Sequence, residues 1–156
     1  MSFFDDLAAR IESLEAEFDD APVEFGAAES FRESVAEELS EVRETVASLE
    51  ADLKNQRETV EEAEALLAEG KCPECGQDVD GSPHVESIDD DRERVAELED
   101  DLADARERRD DLEDRMERAE ALVETESEIR ECRTNRSNVS QLVEQREETL
   151  EEKVEQ

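Results

Sequence analysis

Two cysteines, Cys72 and Cys75, stand three apart in Gly70-Lys71-Cys72-Pro73-Glu74-Cys75-Gly76, near the middle of the chain. Thiolates at that spacing can close on one tetrahedral zinc ion, yet they supply only two of the four ligands it takes. Three uses of the pair are open: half of a zinc site, a redox dithiol, or two incidental surface thiols. A redox dithiol wants a helix N-terminus after the motif and a βαβ setting. Here the pair closes one helix-patterned stretch and opens a Gly/Pro-rich turn, with no strand pattern in the chain. Zinc is the favoured reading, because Gly76 lets the backbone turn back toward the sulfurs and Pro73 stiffens the approach. His84, the one histidine, would as a third ligand still leave the ion one short, and its plainer role is a surface residue ahead of the second helix. The missing ligands come most simply from a second copy, which makes Cys72 and Cys75 the metal ligands of a shared site.

Long helices must hold that pair. An ascending seam runs Val35, Leu39, Val42, Val46, Leu49, Leu53, Gln56, Val60, Ala63, Leu67 in steps of four and three, the heptad pattern of a left-handed coiled coil. A descending seam runs Ile88, Asp91, Val95, Leu98, Leu102, Ala105, Arg109, Leu112, Met116, Ala119, Val123. Gly70, Pro73, Gly76, Gly81 and Pro83 between them force a turn. Ser87 suits an N-cap for the second arm, with Asp89, Asp90 and Asp91 favourable in its first turn. The expected fold is all-α: a long antiparallel two-helix coiled-coil hairpin with a Cys-x-x-Cys zinc hook at the tip. Residues 1–70 form the ascending arm, 71–86 the hook turn and 87–156 the descending arm.

Antiparallel layering then expects Ala63 opposite Val95, Val60 opposite Leu98, Leu53 opposite Ala105, Val46 opposite Leu112 and Val42 opposite Met116. Gln56 opposite Leu102 and Leu49 opposite Arg109 are its mixed layers, either fixing register or tolerating exposure in a thin core. A further seam, Phe4, Leu7, Ile11, Leu14, Phe18, extends the ascending arm. It places Leu7 opposite Leu150, Ile11 opposite Arg146, Leu14 opposite Val143 and Phe18 opposite Val139. Pro22 and Gly26 predict a helix break near 19–29, facing the polar stretch 134–138. Phe25 and Phe31 are expected near Ile129 and Cys132. That makes Cys132 a buried small hydrophobe and not a ligand, roughly 65 Å along the arm from the tip.

Composition limits what such a chain can do. It is 35% hydrophobic, 44% charged and 3% aromatic over 156 residues, with no Trp or Tyr. That is too little apolar material for a catalytic globule but enough for a narrow helical seam. The formal net charge is −33, from 51 acidic and 18 basic residues, only three of them lysine. So acidic a surface suggests a high-salt cytoplasm and a halophilic source. It argues against direct nucleic-acid binding, which needs clustered Lys and Arg. No apolar run reaches membrane-spanning length, and the opening Met1-Ser2-Phe3-Phe4-Asp5-Asp6 lacks the n- and h-regions of a signal peptide. Cytoplasmic localisation follows, where a Cys-x-x-Cys pair is more often metal-binding or redox-active than a structural disulfide.

Gly70-Lys71-Cys72-Pro73-Glu74-Cys75-Gly76-Gln77 at the apex of an antiparallel coiled coil resembles the zinc hook of the Rad-fifty/SbcC family of DNA double-strand break repair ATPases. The likeness is strongest over residues 66–97, where Gly81-Ser82-Pro83-His84-Val85-Glu86-Ser87-Ile88 is similar to halophilic archaeal members. The resemblance implies that two chains each give Cys72 and Cys75 to one shared Zn2+, forming a homodimer that tethers two repair complexes. It also implies ATPase heads that bind DNA and a nuclease partner. The chain has no Walker A Gly-x-x-x-x-Gly-Lys-Ser/Thr, its one Gly-Lys being followed by Cys72. The expectation is therefore a non-enzymatic tethering module, either an excised hook segment or a short free-standing protein, with nuclease and DNA reached only through heads absent here. The alternative is a free-standing coiled-coil scaffold or chaperone-like hairpin whose turn is pinned by metal.

Overall fold

The heptad seam folds as helix wherever it was legible. The computed structural model describes residues 3–73, 75–78 and 87–155. They form α1 (Phe3–Ala16), α2 (Ala28–Ala68) and α3 (Ser87–Glu155). Asp5 and Asp6 lie in the first turn of α1, and Asp89 and Asp90 in that of α3, where carboxylates favour the positive end of the helix dipole. Among the described residues there is no strand beyond one isolated bridge in the turn after α2, and no helix is long and apolar enough to cross a membrane. The chain divides into two units, residues 37–113 and the remainder, 1–36 with 114–156.

In the 37–113 unit, α2 and the first part of α3 run antiparallel. Arg43 bridges to Glu113, Glu50 to Arg106, Arg57 to Glu99 and Glu64 to Arg92, each step seven residues up one helix and seven down the other. Leu39, Val42, Val46, Leu53, Val60 and Ala63 are buried on α2 and Ile88, Leu98, Leu102 and Leu112 on α3. The remaining seam residues of this unit, among them Leu49, Gln56, Asp91, Val95, Ala105 and Arg109, are half-buried. The seam positions are those the spacing predicts.

The register differs from expectation by one heptad. Gln56 Nε2 donates to Asp91 Oδ1 at 3.0 Å. Were Gln56 level with Leu102, Asp91 would lie roughly 16 Å away along the axis, beyond reach. The bond and the four ion pairs are satisfied together when Ala63 faces Ile88, Val60 faces Asp91, Gln56 faces Val95, Leu53 faces Leu98, Leu49 faces Leu102, Val46 faces Ala105 and Val42 faces Arg109. Gln56 and Asp91 then occupy adjacent layers. Side chains lean toward the N-terminus of their own helix, so flanking partners sit a few residues off level. Arg109 carries its guanidinium outward to Asp110 at 3.4 Å and Glu113 at 3.9 Å, its stem remaining along the seam.

In the other unit, α1 does not extend the arm as expected. Leu142, Val143, Leu150 and Val154 of α3 are 50–85% exposed, although Leu150 and Val143 were to cover Leu7 and Leu14. Phe3 and Phe4 instead share a groove with Val139 and Val143. Glu15 pairs with Arg133 at 2.7 Å and Arg10 with Glu128 at 2.9 Å. Thr125 Oγ1 lies 2.7 Å from the Glu17 carboxylate, and Arg118 reaches the Glu17 carbonyl at 3.5 Å. α1 is therefore displaced along α3 by about two heptads toward residues 114–133.

The cause is the link over residues 17–27. The expected layering lets every residue advance along the arm, whereas this link doubles back. Three short-range bonds, from Glu17, Phe18 and Asp19 to Leu14, Glu15 and Ala16, tighten the end of α1. Pro22 follows, and Gly26 takes φ +98°, a conformation that suits glycine. The end of α1 and the start of α2 thus meet the same stretch of α3. That three-helix contact accounts for the burial of Leu7, Ile11, Leu14, Ala28, Val35, Ala119, Leu122 and Ile129. The expected break opposite 134–138 lies instead beside residues 118–133.

Aromatic packing divides in the same way. Phe25 meets Phe18 edge-on, with ring centroids 5.8 Å apart, and lies under Arg130 and Arg133 at 5.5 and 4.7 Å. It thus reaches the neighbourhood of Ile129 and Cys132 as expected. Phe31 does not; its ring lies under Arg115 at 5.8 Å. Cys132 is half-buried rather than buried.

One charged side chain is deep in this contact. Glu126 is 2% exposed. Its Oε1 accepts from the backbone N–H of Gly26 and, at 3.4 Å, of Ala28. Ala27, whose carbonyl accepts the first helical bond from Phe31, has no side-chain oxygen to cap α2. Glu126 of α3 supplies that oxygen from across the interface. Substituting Glu126→Ala should lower stability by about 1–2 kcal/mol, because the buried Ala28 N–H and the part-buried Gly26 N–H lose their acceptor. Glu126→Gln, which keeps one, should cost less. Urea unfolding monitored by helical circular dichroism checks both, and equal stability of all three chains would refute the cap.

Candidate metal centre

α2 ends in a way that delivers Cys72 directly into a turn. Lys71 N–H donates to the Leu66 carbonyl at 2.8 Å and Gly70 N–H to that of Leu67 at 2.9 Å. This is the paired closure of a Schellman motif, with Gly70 at φ +78° in the left-handed position. The helix can go no further, and the next residue after Lys71 is the first cysteine.

The turn then folds on itself. Cys72 N–H donates to the Gln77 carbonyl at 2.6 Å, and Gly76 N–H donates to the Cys72 carbonyl at 3.0 Å. Lys71 and Asp78 face each other in an antiparallel bridge that closes the loop outside those bonds. Gly76 takes φ +72°. Cys72 and Cys75 are thereby held within one tight turn, as their spacing predicts. Their environments differ: Cys72 is 0% exposed, whereas Cys75 is open to solvent. None of the three cysteines is in a disulfide.

Two thiols in a closed turn suit a soft, borderline metal such as zinc, which binds as thiolate complexes. They make half of a tetrahedral set. Among the described residues, no group of three or more His, Cys, Asp or Glu side chains is placed to hold a metal. His84, weighed above as a third ligand, lies outside the described residues, as does Glu74 between the cysteines. Cys132 belongs to the 1–36 and 114–156 unit. Sequence reasoning placed both cysteines in a turn and expected the backbone to reverse at Gly76, as its positive φ shows. It missed the Schellman closure, which Gly70 after an apolar Leu66-Leu67 pair could have signalled.

Comparison with known proteins extends the likeness beyond the tip. Over 112 residues, 72% of this chain, it is 50% identical to a protein described as DNA double-strand break repair Rad50 ATPase from Halobacterium salinarum. The resemblance read from residues 66–97 is thus borne out, and it continues into arms that looked generic. The chain spans 13% of that relative's length, as a segment of such a protein would. No protein-family model matches the chain, and no solved structure matches it.

The turn offers a direct test of its own geometry. A Cβ added at Gly76 would meet nothing within 4 Å, so substitution acts only through the backbone. Gly76→Ala should cost about 1–2 kcal/mol for the left-handed conformation and should weaken cobalt binding, read from the thiolate-to-cobalt absorption. Gly76→Asn should recover most of the loss, because Asn tolerates that conformation. Equal cobalt affinity for all three chains would show that the turn does not require it.

Proposed function

We propose that this chain is a zinc-dependent tethering module of a DNA double-strand break repair ATPase, in which two copies each contribute Cys72 and Cys75 to one shared Zn2+. The observation that carries the reading is the closed turn itself, which holds Cys72 and Cys75 within one loop, two of the four ligands that zinc takes. The similarity to a double-strand break repair ATPase supplies the setting. In this reading the homodimer forms through the hook, while ATP hydrolysis, DNA and a nuclease partner belong to head domains of a longer protein. The strongly acidic surface, with its net charge of −33, fits a halophilic cytoplasm and leaves DNA contact to other parts.

Zinc, when bound, supplies a reversible bond between chains. The residues of this chain do the rest. Gly70 stops α2, Pro73 and Gly76 shape the loop, and the Cys72 and Cys75 sulfurs must shed their protons to ligate. Affinity should therefore fall as pH falls and thiolates reprotonate.

The complete burial of Cys72 within one chain favours a second reading, a metal that merely pins the turn of a coiled-coil scaffold. Light scattering in molar salt separates the two. With stoichiometric zinc the mass should double, fall again with a strong chelator, and stay monomeric in the Cys72→Ser, Cys75→Ser double variant. A zinc-loaded monomer would overturn the clasp and leave the pinned hairpin.

A further inference from the structure

The ion pairs between α2 and α3 alternate in sign. Rising along α2, the residues are Arg43, Glu50, Arg57 and Glu64, and their partners on α3 are Glu113, Arg106, Glu99 and Arg92. The nitrogen-to-oxygen distances are 3.6, 3.1, 2.9 and 3.2 Å. Each rung is seven residues from the next and has the opposite polarity. All four are about half-exposed, so each alone stabilises little. Their order matters more than their individual strength.

A heptad seam repeats every seven residues, so sliding α2 by one heptad preserves the seam. In the observed register three layers pair a polar with an apolar residue: Val60 with Asp91, Gln56 with Val95 and Val42 with Arg109. Slid so that Val60 meets Leu98, the seam again has three: Leu67 with Asp91, Gln56 with Leu102 and Leu49 with Arg109. Apolar burial barely separates the two arrangements.

The charge order separates them completely. After that slide the rungs become Glu50 with Glu113, Arg57 with Arg106, Glu64 with Glu99 and Lys71 with Arg92. A slide the other way gives Arg43 with Arg106, Glu50 with Glu99 and Arg57 with Arg92. Every rung named is then like-charged, and like charges at such flanking positions repel. The Gln56 to Asp91 bond at 3.0 Å adds a check in the first direction, where the two would move roughly 10 Å further apart.

We infer that this alternating ladder, formed by Arg43, Glu50, Arg57 and Glu64 with Glu113, Arg106, Glu99 and Arg92, is a register code. It selects one of several otherwise equivalent pairings of α2 with α3. Its eight residues are positioning residues: they set which residues of α2 and α3 lie level, while the turn itself is closed locally. The inference does not depend on metal binding.

A charge-neutral rearrangement tests it. The variant Arg43→Glu, Glu50→Arg, Arg57→Glu, Glu64→Arg keeps the composition and net charge of α2 but reverses every rung. Disulfide trapping reports register, in chains whose Cys72, Cys75 and Cys132 are replaced by Ser. The reporter pair Leu53→Cys with Leu98→Cys reads the observed register. Leu53→Cys with Ala105→Cys, and Leu53→Cys with Asp91→Cys, read the two slid ones. The native ladder should trap through 53 and 98. The reversed ladder should lose at least about tenfold of that yield, given four rungs changed together, and gain it at 105 or 91. Reversing α3 as well, by Arg92→Glu, Glu99→Arg, Arg106→Glu and Glu113→Arg, should restore trapping through 53 and 98. Undiminished 53 to 98 trapping in the singly reversed chain would overturn the code. So would failure of the doubly reversed chain to recover it, which also covers a reversed chain that merely unfolds.

Discussion

A repeating seam says which residues are buried but not which of them meet. That constraint governs the 37–113 unit. Val, Leu and Ala at heptad spacing present nearly the same apolar face every seven residues, and the free energy of burying that face changes little with a one-heptad slide. Register must come from residues that break the repeat. Here those are Gln56 and Asp91, joined at 3.0 Å, and the charged positions flanking the seam. Polar groups that weaken a narrow core also make it specific.

The seam was legible in the sequence because it rests on spacing alone. Val35 through Leu67 and Ile88 through Val123 step by threes and fours, and none of those positions is exposed. The register was not legible from the same pattern, since layers one heptad apart pair equally well by type. Following the flanking charges as well as the apolar seam would have resolved it: Arg57 set against Arg106, as the expected layering requires, is a signal in plain view. The error in α1 has a different origin. Pro22 and Gly26 announce that a helix stops, but not whether the chain resumes in line or doubles back. What meets the chain where it resumes is Glu126, distant in sequence, whose carboxylate accepts from Gly26 and Ala28 at the start of α2.

At the tip, local chemistry was sufficient. Gly70 and Gly76 both take positive φ, and the bonds that close the turn span only residues 66–77. Little there depends on distant packing, so the motif is readable from its own residues. The difference between a buried Cys72 and an exposed Cys75 was not, because two thiols three apart in sequence carry no mark of which side will face the helices.

The doubled-back link between α1 and α2 holds contour that the fold does not use. Drawn straight, residues 17–27 could span up to roughly 36 Å, yet their two ends rest against the same stretch of α3. A load pulling α1 away from α2 would first meet the Glu126 cap, the Thr125 to Glu17 contact and the small apolar cluster around Ile11 and Leu122. Only after these yielded would tension reach the covalent chain at full extension. The link is thus a slack length held closed by modest contacts, which would let α1 part from α2 under load before the covalent chain itself was drawn taut.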